Sequence, residues 1–168
     1  HYFKYFESKC NLKTIHTDFK KMGVIIFLSE VLSKILIHQQ KDYYLYDFIE
    51  DAIKYYDQHV FSSKFHIVFL MNLSRFLGFY PDVNNNNYQY FDLQHGFYSQ
   101  TKDSDHIICD DDLECFNKIL GINFDELNTL TLTLVQRKKL LDNIILYYRL
   151  HTENFVSVKS LEVLRKLF

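Results

Sequence analysis

The sequence predicts a mainly α-helical, bundle-like domain with one small β-hairpin inserted in it. Two observations carry this. The 168 residues contain a single Pro and four Gly, so regular structure is rarely interrupted and helices are favoured. Apolar residues recur at the 3.6-residue period in several segments, whereas the stretch between 80 and 109 breaks that period with an Asn run and two short aromatic strings.

In order along the chain, residues 1–9 alternate like the last strand of a preceding domain, and residues 10–20 read as a polar connector. A helix is predicted over 21–38, with Ile25, Leu28, Leu32, Ile35 and Leu36 on one face. A second is predicted over 43–60, where Leu45, Phe48, Ile49, Ala52, Ile53 and Tyr56 repeat the pattern. A third, over 63–78, has Ser62 or Ser63 as its N-cap and Gly78 as its left-handed terminator, with Pro81 preventing resumption. Its Phe65, Phe69, Phe76 and Leu77 place it at the centre of the core. Asn84 to Asn87 form a loop, and Tyr90-Phe91-Asp92-Leu93 and Phe97-Tyr98-Ser99 flank Gln94-His95-Gly96 as a hairpin. Asp110, Asp111 and Asp112 open a short helix that Gly121 ends, because carboxylates are stabilised by the free N–H groups of a first turn. A helical turn is expected over 124–130. The long final helix starts near Thr133, which has capping-box spacing to Gln136, and turns Leu141, Ile144, Ile145 and Tyr148 inward. A last helix from about Ser157 carries Leu161, Leu164 and Phe168.

Apolar residues are 48% of the chain and aromatics 17%, from sixteen Phe and thirteen Tyr without Trp. That is enough for a sizeable core. The net charge of −2 is unevenly spread. Residues 1–81 hold ten basic against eight acidic side chains, 82–128 two against ten, and 129–168 seven against three. A protein that coats DNA in bulk would be basic throughout, so any nucleic-acid contact here is local. Three Cys (Cys10, Cys109, Cys115) without a close pair exclude a disulfide framework and fit a reducing cytoplasm. The apolar run Val24 to Leu28 is far shorter than a membrane span.

Chemistry is sparse. There is no GxSxG, glycine-rich phosphate loop or HExxH. The best metal candidates are His95, His106, Cys109 and Cys115, but structural zinc sites use two close ligand pairs, and Cys109 and Cys115 are separated by five residues. Asp110 to Asp112 could hold a divalent cation or be a solvated helix start. Tyr43, Tyr44, Tyr46, Tyr88 and Tyr90 are candidates for base stacking, against the plainer reading of amphipathic surface Tyr. The basic cluster Arg137-Lys138-Lys139 occupies the first turns of the long helix, the end that the dipole makes unfavourable for cations. No neighbour in sequence rewards it. It therefore points to an anionic partner, the plain alternative being a solvated Lys/Arg face.

An ordered set of segments resembles one family. These are Phe27-Leu28-Ser29-Glu30-Val31-Leu32, Leu45-Tyr46-Asp47-Phe48-Ile49, Phe69-Leu70, Phe76-Leu77-Gly78-Phe79-Tyr80-Pro81, Tyr90-Phe91-Asp92-Leu93-Gln94-His95-Gly96-Phe97, Tyr147-Tyr148-Arg149-Leu150-His151 and Val158-Lys159-Ser160-Leu161-Glu162-Val163-Leu164. Together they resemble the C-terminal helical domain of the recombination mediator family RecO, in its Bacteroidetes-like form. The resemblance implies DNA repair and homologous recombination by a non-enzymatic, cytoplasmic and nucleoid-associated protein. Such a protein binds single-stranded DNA, anneals strands and, with RecR and in some cases RecF, loads the recombinase onto DNA covered by single-stranded-DNA-binding protein (SSB). It also implies that residues 1–18 are the end of an N-terminal OB fold plus a linker, that 19–168 are the helical domain, and that about 80–112 are its hairpin and acidic insertion.

The helical domain of some members docks the acidic, Phe-ended tail of SSB, and Lys139 matches a basic position serving that purpose. Arg137 and Lys138 are its neighbours. Arg149 and Lys159 complete the expected set of SSB-tail or DNA-phosphate contacts. Many members hold four zinc-binding cysteines after the Gly-aromatic-Pro segment. Here that region contains only Cys109, so no zinc or other cofactor is expected, and the hairpin is expected to be held by Tyr90, Phe91, Leu93 and Phe97. Paired arginines found in some members are replaced by Ile67-Val68, with Lys64 and His66 nearby. The alternative function is a helical structural module with no DNA binding of its own.

Overall fold

The computed structural model describes residues 12–38, 41–153, 155 and 157–167. The strand expected over 1–9, Cys10, and Phe168 of the last helix lie outside the described residues. Among the described residues, the chain forms six α-helices and a small antiparallel sheet: α1 (Phe19–Ile35), α2 (Tyr43–Gln58), α3 (Phe65–Phe76), β1 (Tyr90–Asp92), β2 (Phe97–Ser99), β3 (Ile107–Cys109), α4 (Asp110–Ile119), α5 (Leu134–His151) and α6 (Ser160–Leu167). Single 3-10 turns follow α1 and precede α5.

α3 is the hub. Nine of its 12 residues are buried, and α2, α4 and α5 pack around it. Phe65 stacks on Tyr56 of α2 at 4.0 Å and meets Phe124 at 5.1 Å. Tyr148 of α5 is fully buried and donates its hydroxyl to the Leu70 carbonyl at 2.6 Å, so α5 is fixed to α3 by a satisfied polar bond inside the core. Gly78 has φ +83°, as its role after α3 requires. The expected Ser cap is displaced. The N-cap is Lys64, without a side-chain cap bond, and Ser62 Oγ accepts only from the Lys64 N–H at 3.3 Å.

The inward face of α1 also differs from expectation. Val24, Phe27, Leu28 and Val31 are buried, while Ile25, Leu32, Ile35 and Leu36 sit at the edge of the core. Residues 24–28 are apolar without a break, so periodicity could not select the face. Packing does so. α6 lies against α1, and Leu167 fills the space at Gly23, where a Cβ would clash with the Leu167 side chain. α6 begins at Ser160 rather than near Ser157, because Glu30 of α1 caps it. The Glu30 carboxylate accepts from the N–H groups of Lys159 (2.9 Å) and Ser160 (2.8 Å). Burial pushes the Glu30 pKa up, but the Ser160, Lys159 and Lys34 hydrogen bonds outweigh it and hold the pKa at about 2.

The connector before α1 is pinned to the end of α2. Asp57 accepts from the backbone N–H of Lys13, Thr14 and Ile15 at 2.8, 2.8 and 2.9 Å. Lys21, only 2% exposed, donates to Thr14 Oγ1 at 2.6 Å and to the carbonyls of Asp57 and His59. These carbonyl and hydroxyl contacts satisfy a buried ammonium that hydrocarbon alone would exclude.

The hairpin forms as expected and gains a third strand. β1 pairs antiparallel with both β2 and β3, with Phe91 opposite Tyr98 on one side and Ile108 on the other. Phe91 packs on Phe116 of α4 at 4.8 Å. Phe97, expected to help hold the hairpin, is 45% exposed, and Tyr98 takes that role at 4%, because alternate residues of a strand face opposite ways. Gly96 combines φ +75° with a site where a Cβ would lie 2.8 Å from the Tyr147 hydroxyl. Asp110 to Asp112 form the first turn of α4.

Candidate binding groove

The start of α5 is built by the expected capping box. Thr133 Oγ1 accepts from the Gln136 N–H at 3.2 Å, and Gln136 Oε1 accepts from the Thr133 N–H at 2.9 Å. With the first turn fixed, Leu134, Arg137, Lys138 and Leu141 fall at i, i+3, i+4 and i+7 and share one face. That face forms one wall of a shallow, open groove. Ser63 and His66, at the start of α3, and Leu164 and Arg165 of α6 complete it. Leu134 supplies its exposed apolar surface, Leu141 and Leu164 form its buried floor, and Arg137, Lys138 and Arg165 are its cations. Arg165 is already oriented. It donates to Glu162 at 2.8 Å and to Asp142.

The Arg137 charge reaches the start of α3. His66 is 3% exposed, and burial, followed by the nearby Arg137 charge, pushes its pKa down to about 3. The same two causes, in the same order, lower the pKa of Lys64. Burial is the larger cause in both, and an anion in the groove would offset only the smaller share that comes from Arg137.

The predicted contact residues separate. Arg137 and Lys138 line the groove. Lys139 turns away and pairs with Asp112 of α4 at 2.7 Å, so the expectation that nothing local rewards the cluster is corrected: the acidic helix start meets the basic one across space, a pairing that linear sequence does not show. Arg149 is exposed, eleven residues beyond Lys138, roughly 17 Å along the helix at its usual rise. The Lys159 side chain is exposed, while its backbone N–H belongs to the Glu30 cap. Arg165 and His66 were missed as groove residues. The signal available for Arg165 was its place next to Leu164 in an amphipathic final helix, but only the docking of α6 brings it beside α5.

The other candidates divide similarly. Tyr43, Tyr44 and Tyr46 are 78%, 81% and 57% exposed in a segment that also carries Asp42, Asp47 and Asp51, an acidic setting for a nucleic-acid strand. Tyr88 and Tyr90 are half-buried. His95 Nδ1 lies 2.8 Å from Asp92 Oδ2, Cys109 donates to Asp110 at 3.2 Å, and Cys115 is buried in α4. Among the described residues, no group of three or more His, Cys, Asp or Glu could hold a metal ion. No helix among them is long and apolar enough to cross a membrane.

The fold defines the class: a mainly helical domain with a small antiparallel sheet set into it. Residues 16–162 match the family described as Recombination protein O C terminal, and the chain belongs to that family. It is 33% identical over 155 residues to the DNA repair protein RecO of Flavobacterium psychrophilum, covering 92% of this chain and 65% of that protein. It is 32% identical over 170 residues to the RecO of Flavobacterium johnsoniae, covering 99% and 69%, and 37% identical over 155 residues to that of Azobacteroides pseudotrichonymphae, covering 88% and 63%. The chain thus spans about two thirds of the length of these relatives. No solved structure matches it.

Proposed function

We propose that this chain is the helical domain of a RecO-type mediator of DNA repair and homologous recombination, and that its groove docks the acidic, Phe-ended tail of SSB. One observation carries the reading. Arg137, Lys138 and Arg165 line a groove with the exposed Leu134 and the buried Leu141 and Leu164, beside the Lys139 position that the family resemblance marks as basic. A terminal aromatic residue needs the apolar surface, and its carboxylate needs guanidinium or ammonium donors. In such a mediator the helical domain acts with single-stranded DNA, RecR and, in some members, RecF in annealing strands and loading the recombinase in the cytoplasm, at the nucleoid. Its role is binding rather than catalysis, without zinc or another cofactor, and elemental analysis of the purified protein checks the metal.

The test is titration with an acidic peptide ending in Phe. Reversing Lys138 and Lys139 together (Lys138→Glu with Lys139→Glu) weakens binding of such a peptide, or of single-stranded DNA, in a salt-dependent way. Because Lys139 is paired with Asp112, the single substitutions Arg137→Glu and Lys138→Glu are the cleaner probes. Binding that is unchanged in both single variants refutes the basic-lip reading and leaves the domain as a structural module.

A further inference from the structure

The first turns of α2 carry a surface opposite in character to the groove. Asp42 caps the helix, its carboxylate accepting from the Leu45 N–H at 3.1 Å, and Leu45 is buried against the core. With that register fixed, Tyr43, Tyr46, Asp47 and Glu50 fall at i, i+3, i+4 and i+7, and Tyr44 and Asp51, seven apart, lie along their flank. The three tyrosines are exposed and none joins the core. Together they present on the order of 300–500 Å², the size of the largest apolar patch on an ordinary monomer and of the patches that mark partner sites. From residue 42 to 53 the chain has four carboxylates and no Lys or Arg. Lys41 stands just before the cap, and Lys54 pairs with Glu50 at 3.2 Å. Asp47 and Asp51 are exposed and form no ion pair among the described residues. The helix start accounts for Asp42 and favours carboxylates near it. It does not account for three phenol rings in water, since Tyr is only a middling helix former.

We infer that this face docks a cationic segment of another protein, with Arg side chains as its anchors. A guanidinium lies flat on a Tyr ring and donates parallel N–H bonds to a carboxylate. Here rings and carboxylates stand within a turn of each other on one helix face. Charge decides against nucleic acid, because phosphates would meet Asp47 and Asp51 where affinity requires cations. The face is also separate from the groove. α2 runs from it to Gln58, shortly before the Ser63 that lines the groove, a length of roughly 20 Å. That exceeds the screening distance of about 8 Å in physiological salt, so the acidic face and the basic groove select partners independently.

The test titrates the labelled 168-residue chain with a peptide of about ten residues alternating Arg with Ala, and with the same peptide carrying Lys for Arg. The Arg peptide should shift the amides from Tyr43 to Asp51, and the Lys peptide should bind more weakly. Tyr43→Ser with Tyr44→Ser leaves every charge in place and should weaken the Arg peptide about fivefold to tenfold. Asp47→Asn with Asp51→Asn should weaken it and flatten its salt dependence. Both pairs alter exposed side chains, so the melting temperature should stay near that of wild type. An acidic, Phe-ended peptide should bind wild type and both variants alike, so the groove and this face stand or fall separately. Equal binding of the Arg peptide to wild type and to the tyrosine variant reduces the face to solvated charge and overturns the inference. Shifts centred on Asp110 to Asp112 instead of α2 overturn it too. Saturable binding of a single-stranded oligonucleotide at Tyr43 to Asp51, or a concentration-dependent dimer that the tyrosine variant dissolves, assigns the face to nucleic acid or to a second copy and overturns it as well.

Discussion

The two ends of α5 face different tasks. At its C-terminal end the polar groups are committed to structure: Tyr147 donates to the Phe79 carbonyl at 2.7 Å, Tyr148 to the Leu70 carbonyl at 2.6 Å, and the His151 ring lies 2.9 Å from the Leu93 carbonyl. At its N-terminal end the capping box fixes the backbone, and Arg137 and Lys138 are carried into an apolar-walled groove. One helix thus joins a closed half, which holds sheet and hub together, to an open half whose charges lack a matching carboxylate in the groove lining. The two halves should tolerate change differently: the closed half resists loss of volume, while the open half resists loss of volume at Leu140 and Leu141 and a change of charge at its groove face.

The largest expected effect is in the closed half. Tyr148→Ala removes a fully buried ring and its bond to α3 and should destabilise the domain by about 3–5 kcal/mol, as large-to-small core changes do, read as a fall in the denaturant midpoint. Gly96→Ala comes next. A side chain at φ +75° that also meets the Tyr147 hydroxyl should cost on the order of 1–3 kcal/mol and loosen the hairpin, measured by hydrogen exchange of β1 and β2. In the open half, Arg137→Glu or Lys138→Glu should leave the melting temperature nearly unchanged while weakening acidic-peptide binding about tenfold, measured by titration at two salt concentrations.

Acid stability sharpens the contrast from another side. Glu30 and Asp57 both have folded pKa values of about 2, below their ordinary 4.5 and 3.8, because burial is outweighed by hydrogen bonds from Ser160 and Lys159 in one case and from residues 13–15 in the other. A folded pKa below the unfolded one makes stability that is complete above the unfolded value and lost as pH falls through the folded one. Melting should therefore decline from about pH 4.5 toward pH 2, and Glu30→Gln should start lower and flatten that decline. The smallest effect is expected for Asp112→Asn. Asp112 is half-buried and its partner Lys139 exposed, so losing the pair should leave the denaturant midpoint nearly unchanged while freeing Lys139 without moving the groove.

Much of the fold was legible because local chemistry and tertiary packing agree. The Thr133–Gln136 box, the Gly78 terminator, the Gln94–Gly96 turn and the inward stripe Leu141, Ile144, Ile145 and Tyr148 all stand as the sequence implied. What was not legible depended on partners distant in sequence. The face of α1 is chosen by α6, and the start of α6 by Glu30, about 130 positions away. β3 is too short to stand out, and it forms only because β1 offers its free edge. For the site, Arg137 and Lys138 were readable as a basic turn. Their separation from Lys139, and their meeting with Arg165, His66 and Leu164, follow from how α3, α4 and α6 dock.

The central claim is that the open half of α5 receives an acidic tail, and chemical-shift mapping tests it most directly. On titrating an acidic, Phe-ended peptide into the labelled 168-residue chain, the account predicts shifts at Leu134, Arg137, Lys138 and Leu141, at Ser63 and His66, and at Leu164 and Arg165, with the C-terminal half of α5 undisturbed. Saturable shifts confined to Tyr147–His151 and the sheet, or none at the groove at peptide concentrations well above micromolar, would contradict it.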